Sequence, residues 1–161
     1  LGKAFGMSVH AWSPHLSQDR CRELAVTYHP DLKSLMASAD VVSIHMVLSS
    51  STRHLVDASA FASMRERALF INTSRGPIAD EQALLQGLRA GRPYQAALDV
   101  YEEEPLPMDS DLRDTALIDS GRLLLSPHLG YVTEQTWKVF YSQTVEAIAA
   151  WQRGIPIRLL N

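Results

Sequence analysis

Ala-Leu-Phe-Ile-Asn, residues 68–72, is apolar on consecutive positions and runs directly into Thr-Ser-Arg-Gly-Pro, residues 73–77. A run of that kind fits a strand buried on both faces, as in a parallel sheet covered by helices. Its sequel fits the same picture. Asp80 stands as a helix N-cap, Leu84, Leu85 and Leu88 follow at helical spacing, and Gly91 closes the segment. A second apolar run, Gln95–Val100, comes next. Working outward, Ser8–Trp12, Val41–His45 and Leu123–Ser126 read as further strands. Asp57 caps a shorter helix carrying Ala58, Phe61 and Met64. After Thr133, the residues Trp137, Phe140, Tyr141, Thr144, Val145, Ile148 and Trp151 fall on one helical stripe, stopped by Gly154 and Pro156. Each aromatic on that stripe is expected in a core rather than on a dimer surface. Helical segments between buried strands predict an α/β fold with a doubly wound parallel sheet, whose ligands gather at the C-terminal ends of the strands.

Two segments resist that pattern. Residues 102–122, with Pro105, Pro107 and many acids, read as a long loop, and such loops are more often functional or partner-covered than idle. Leu1–Phe5 followed by Gly6 reads as the last turns of a helix with a glycine stop. A helix that begins halfway predicts further residues upstream.

Composition excludes several function classes. The 161 residues suffice for one domain with a buried core, and 46% hydrophobic with 20% charged residues is ordinary for a globular protein. Fifteen Lys and Arg against eighteen Asp and Glu leave a net charge of −3, without the basic excess of a phosphate-backbone binder. The apolar runs are too short to span a bilayer. Cys21 is the only cysteine, so no internal disulfide forms, and no Cys/His spacing resembles a zinc site. The first residues lack the apolar core of a signal peptide. The expectation is a cytoplasmic domain that uses no metal and binds neither nucleic acid nor membrane.

Four positions at strand ends could carry chemistry. Arg75 has the planar fork to hold a carboxylate, set against a surface ion pair as the plain alternative. Asp99, after the run ending in Leu98, could accept from a ligand amide or ribose, or simply cap a turn. In Tyr101-Glu-Glu-Glu-Pro105, at most one glutamate is expected to be functional and the others solvated. His128 follows the last apolar run, where a neighbouring carboxylate would suit it to general acid work. The remaining histidines, His10, His15, His29, His45 and His54, read as structural, with His45 at a strand end the least secure. As a set, an Arg for a carboxylate, a His for a proton, a Glu beside the His and an Asp for a cofactor would serve redox chemistry on a 2-oxo or 2-hydroxy acid. The hydride must then come from a cofactor, because no side chain supplies one.

Four strings in order, Ala-Asp-Val-Val-Ser-Ile-His (39–45) with Thr-Arg-His-Leu-Val (52–56), Asn-Thr-Ser-Arg-Gly-Pro-Ile (72–78), Ala-Leu-Asp-Val-Tyr-Glu-Glu-Glu-Pro-Leu-Pro (97–107) and Pro-His-Leu-Gly-Tyr-Val-Thr (127–133), resemble the D-isomer-specific 2-hydroxyacid dehydrogenase family. The resemblance runs along essentially the whole chain. It implies a Rossmann-type domain in which Arg75 binds the substrate carboxylate, His128 is the acid/base and Glu104, rather than Glu102 or Glu103, partners that histidine. It implies a cofactor-binding set of Ser13, His45, Met46, Val47, Thr73, Ser74, Arg75, Asp99, His128 and Gly130. It also implies a small 2-oxo or 2-hydroxy acid as substrate, NAD as cofactor with NADP still open, and a homodimer.

Three departures qualify the resemblance. The family's Gly-x-Gly-x-x-Gly phosphate loop belongs just upstream of Leu1. With it would come the first, central strand and the separate substrate domain, so the chain resembles most of a nucleotide-binding domain. After Ser8–Trp12, where NAD-dependent members usually carry an Asp, stands Ser13-Pro14-His15, which leaves Arg20 or His15 as partners for a 2′-phosphate. Val47 replaces a proline common in relatives. A formate dehydrogenase fits less well, because those enzymes pair the histidine with Gln. The readings kept beside the enzyme are a nicotinamide-dependent scaffold resembling the C-terminal binding protein corepressors, and an isolated fragment too weak in cofactor affinity to act.

Overall fold

The computed structural model describes residues 1–159, in two units: Leu1–Pro127 and a second that begins at His128. All strand pairing in the first unit is parallel. β1 (His10–Ala11) and β2 (Thr27–Tyr28) form a two-stranded sheet. β3 (Val41–Ile44), β4 (Leu69–Asn72), β5 (Gln95–Leu98) and β6 (Leu123–Leu125) form a four-stranded sheet in that order. Its register sets Ile44 opposite Asn72, Asn72 opposite Leu98 and Leu98 opposite Leu125. The four strands therefore end level, and the residues that follow them emerge along one edge.

Five helices connect the strands: α1 (Gln18–Glu23), α2 (Leu32–Ser38), α3 (Ala58–Ser63), α4 (Glu81–Ala90) and α5 (Thr115–Asp119). Each begins where a side-chain oxygen can satisfy an orphan backbone N–H. Ser17, Asp31, Asp57, Asp80 and Asp114 accept from the amides of Arg20, Ser34, Ala60, Ala83 and Leu117. Gly91 ends α4 in the left-handed region, φ 88°, which costs glycine little. Met36, Phe61, Leu84, Leu85, Leu88 and Leu117 from the helices join Val42, Ile44, Phe70, Leu98 and Leu123 from the sheet in one core cluster. Phe61 meets Phe70 edge to face at 5.0 Å between ring centroids.

The expected burial on both sheet faces is not what the fold delivers. Burial alternates along β3, β4 and β5, and on the face away from the core Val41 is 46% and Leu124 67% exposed. The reason is that α2, α3, α4 and α5 all send their apolar side chains into the same cluster. Residues 102–122 are also not one loop. They include a 3-10 turn, Asp111–Arg113, and α5, each burying a leucine, Leu112 and Leu117. Gly2–Phe5 is a short 3-10 turn ended by Gly6 at φ 73°.

The second unit is dominated by α6 (Glu134–Gln152), capped by Thr133 through the amide of Thr136. Its aromatic stripe is solvent-facing, contrary to the core placement expected: Phe140, Tyr141 and Trp151 are 56%, 60% and 72% exposed, and Trp137 stacks on Tyr141 at 4.9 Å. One long helix offers its own unit no second layer against which to bury a stripe. Among the described residues no helix is long and apolar enough to cross a membrane.

A histidine pair joins β1 to the end of β2. His10 Nδ1 lies 2.8 Å from His29 Nε2, with Ser38 Oγ 3.2 Å from the latter and Ser8 Oγ 3.1 Å from His10 Nε2. One nitrogen of the pair must accept, so the bond cannot form with both rings charged. Burial, then the charge of His10, holds the His29 pKa below the usual histidine value, with Asp31 opposing. Below about pH 6.5 the unfolded chain then binds more protons than the folded one, so this stability is full above that value and is lost as pH falls through the lowered His29 pKa. Thermal melts from about pH 7.5 to about pH 5 should show the native chain losing more of its melting temperature than His29→Gln does. Equal slopes would contradict this account.

Candidate active site

The level strand ends bring the loops after β3 and β4 together. His45, Met46, Val47, Leu48, Thr73, Ser74 and Arg75 line one cleft of about 470 Å³. The Ser74 hydroxyl donates to the Met46 carbonyl at 2.5 Å, fixing one loop on the other. Asn72, buried at the end of β4, braces the turn from inside. Its Oδ1 accepts from the Ser74 amide at 3.1 Å and its Nδ2 donates to the Arg75 carbonyl at 3.0 Å. A side-chain amide thus supplies partners that the turning backbone cannot give itself. Arg75 has a pinned main chain and an exposed side chain, with Nη1 donating to the Ser74 carbonyl at 2.6 Å. A guanidinium carries five N–H donors, so the fork can still hold a carboxylate.

The loop after β5 stands beside it. The Asp99 amide donates to the Asn72 carbonyl at 3.0 Å, and the buried Asp99 carboxylate accepts from the Ser126 hydroxyl at 2.5 Å. Tyr101 is buried and its hydroxyl donates to the Ser126 carbonyl at 2.7 Å. Burial, then the nearby Asp99 charge, raises the Tyr101 pKa, which keeps the phenol a donor. The Tyr101 amide donates to Glu104 Oε1 at 3.0 Å and closes the turn that carries this glutamate. Gly76 holds the two loops in backbone contact: a Cβ there would lie 2.0 Å from the Tyr101 carbonyl carbon.

Of the residues singled out in the sequence, His45, Met46, Val47, Thr73, Ser74 and Arg75 share the cleft, and Asp99 and Glu104 sit on the next loop of the same edge. Ser13 follows β1 on the two-stranded sheet and is not among the lining residues. His128 and Gly130 belong to the second unit, where the His128 ring meets Tyr131 edge-on at 5.9 Å and the His128 backbone is left-handed, φ 56°. Sequence reasoning gave no role to Asn72 or Ser126. An Asn followed by Thr-Ser-Arg-Gly is a signal for a side-chain-braced turn and would have found the first. Among the described residues no group of His, Cys, Asp and Glu could hold a metal ion.

Comparison with known proteins identifies the family and the fold. Residues 1–130 match the family described as D-isomer specific 2-hydroxyacid dehydrogenase, NAD binding domain. The chain is 36% identical to a glyoxylate reductase of Aeropyrum pernix over 162 residues, covering 100% of this chain and 47% of that protein. It is 34% identical to a D-3-phosphoglycerate dehydrogenase of Bacillus subtilis over 155 residues, covering 96% of this chain and 28% of that one. Among solved structures, D-lactate dehydrogenase from Aquifex aeolicus, complexed with NAD and lactic acid, superimposes with a TM-score of 0.80 at 26% identity, over 95% of this chain and 48% of that one. The α/β fold is thus that of Rossmann-type dehydrogenase domains, and the chain spans less than half the length of each of these relatives.

Proposed function

The chain belongs to the D-isomer specific 2-hydroxyacid dehydrogenase NAD binding domain family, and from that premise we propose that it is the nucleotide-binding part of an NAD-dependent oxidoreductase of small 2-hydroxy and 2-oxo acids. The observation that carries the reading is Arg75, on a loop pinned by Asn72 and Ser74, lining a cleft at the same strand edge as Asp99 and the Glu104 turn. The lining fits a nicotinamide nucleotide. Met46, Val47 and Leu48 offer apolar surface to a flat ring, and Thr73 and Ser74 offer hydroxyls to the ribose end. Held there, the nucleotide would supply or accept the hydride that interconverts the two acids.

The chain's own residues do the rest. Arg75 holds the substrate carboxylate in a bidentate pair and so presents C2 in one orientation. His128 gives a proton to the carbonyl oxygen during reduction and takes it back from the hydroxyl during oxidation. Glu104 is, in this reading, the partner of that histidine. In this reading Ser13 and Gly130 border the nucleotide. The same proposal places a phosphate loop and a strand upstream of Leu1, with the strand lying between β1 and β3, which are not hydrogen-bonded to one another. It includes a homodimer, for which the exposed stripe of α6 offers apolar surface. It also includes a cytoplasmic place, which suits the buried free thiol of Cys21.

The test is oxidation of NADH and NADPH against a panel of small 2-oxo acids, with the natural full-length polypeptide. Arg20, a candidate for a 2′-phosphate, is paired with Glu23 at 2.8 Å, so NADH should be the better donor. Arg75→Lys should raise KM for the acid about tenfold, the loss of one charge-assisted hydrogen bond of about 1.5 kcal/mol. An unchanged KM would remove Arg75 from the carboxylate site. Nucleotide binding without turnover would move the weight to a scaffold function.

A further inference from the structure

We propose that Glu102 is a positioning residue, which clamps the turn carrying Glu104 against the loop carrying Arg75 through Arg53, His54 and Glu81. The inference rests on the enzymatic reading above for the roles of Arg75 and Glu104. By sequence Glu102 looks like one of three solvated glutamates. In the fold it is tied from two other elements. Arg53 Nη1 donates to its Oε1 at 2.5 Å, and His54 Nε2 lies 3.4 Å from its Oε2. Its backbone amide donates to Glu81 Oε1, at the start of α4, at 2.6 Å.

Those partners belong to the Arg75 side of the site. The His54 amide donates to the Pro77 carbonyl at 2.8 Å and the Val56 amide to the Ile78 carbonyl at 3.1 Å, so the 53–56 turn is laced to the continuation of the Arg75 loop. Glu102 closes this ring onto the far side of Tyr101, whose near side meets Gly76. Two further features fit a selected arrangement. His54 occupies the left-handed region, φ 50°, where a residue with a side chain is strained and glycine is not. Burial chiefly raises the Glu81 pKa, while the Glu102 amide favours its carboxylate form. Exposed ion pairs add little to folding stability. The clamp therefore acts on where the turn stands rather than on whether the chain folds.

The experiment uses the natural full-length polypeptide with Glu102→Ala, Glu102→Gln, Arg53→Ala and the Glu102→Ala/Arg53→Ala pair. Glu102→Ala should lower kcat for 2-oxo acid reduction about tenfold, as displacement of a catalytic group does, and leave KM for NADH unchanged. Its melting midpoint should stay within about 2 °C of the native value. Glu102→Gln keeps the amide and an acceptor for Arg53, and should recover most of the loss. The double variant should be no worse than the worse single one, because the pair acts as a unit. Amide exchange at residues 101–104 should rise about threefold in Glu102→Ala, whether or not turnover is found. Native protein without turnover would refute the enzymatic reading and leave exchange to decide the clamp. Unchanged exchange, unchanged kcat in an active enzyme, or losses that simply add would each overturn the clamp.

Discussion

Replacing His128 with Asn should reduce kcat for 2-oxo acid reduction by about a thousandfold or more while nucleotide affinity stays within about twofold. General acid catalysis by a placed side chain is worth about a hundredfold to ten-thousandfold, and a carboxamide neither gives nor takes the proton. Among replacements that keep a polar side chain, Asn is also one this backbone tolerates well. His128 stands at φ 56°, and Asn enters the left-handed region more readily than other residues with a side chain. A loss of turnover in this variant is therefore chemical rather than a failure to fold, which Gln or Ala at the same position would leave ambiguous. The ring removed packs edge-on against Tyr131, so a small drop in melting temperature should accompany the change. The measurement pairs steady-state kinetics with nucleotide titration on the same preparation. Turnover within tenfold of native would take the acid role away from His128. Native protein that binds nucleotide but never turns over would mark the whole set as a scaffold.

The legible parts of this fold are those where several local signals coincide. α4 has an N-cap in Asp80, an apolar face in Leu84, Leu85 and Leu88, and a left-handed stop in Gly91, and the structure has it at Glu81–Ala90. α3 after Asp57 and α6 after Thr133 were readable for the same reason. β1 and β2 pair over only two residues each, too few to carry a period, and β2 with α1 and α2 went unread. α5 was masked by the acids and prolines around its one buried leucine, Leu117. The α6 stripe was visible as a pattern, but a pattern does not say what covers it, and here its own unit does not.

The site divides in the same way. Arg75 could be singled out because it follows a strand of a parallel sheet, where ligands gather, whereas Thr73, Ser74 and His45–Val47, which line the same cleft, were named by the family resemblance. Ser126 could not, because its partner Asp99 is 27 residues away. Glu102 and Glu104 are the same letter two positions apart. What separates them is the company each keeps, Arg53 and His54 in one case and the Tyr101 amide in the other. Only the folded chain assembles those neighbours.

Gly76→Ala should be the most damaging single methyl group that can be added to this site. The added Cβ would lie 2.0 Å from the Tyr101 carbonyl carbon, 2.1 Å from its oxygen and 2.5 Å from the Glu102 nitrogen. All three are backbone atoms, so no rotamer change relieves the overlap and one loop must move off the other. Neither loop can move alone. Tyr101 is anchored through its hydroxyl to Ser126, Glu102 to Glu81, and the Gly76 side is braced by Asn72. The expected destabilisation is about 3 kcal/mol, the upper part of the usual overpacking range. In a chain of this size that is a fall of roughly 6 to 12 °C in melting midpoint. Turnover in the fraction that remains folded should drop about a hundredfold, because the Arg75 and Glu104 loops separate. Gly121→Ala is the control. At φ 70° with nothing within 4 Å of its Cβ, it meets backbone strain without collision, at about 1–2 kcal/mol and with kcat unchanged. If both variants lost stability equally and kept native kcat, the contact between the two loops would have no part in the chemistry.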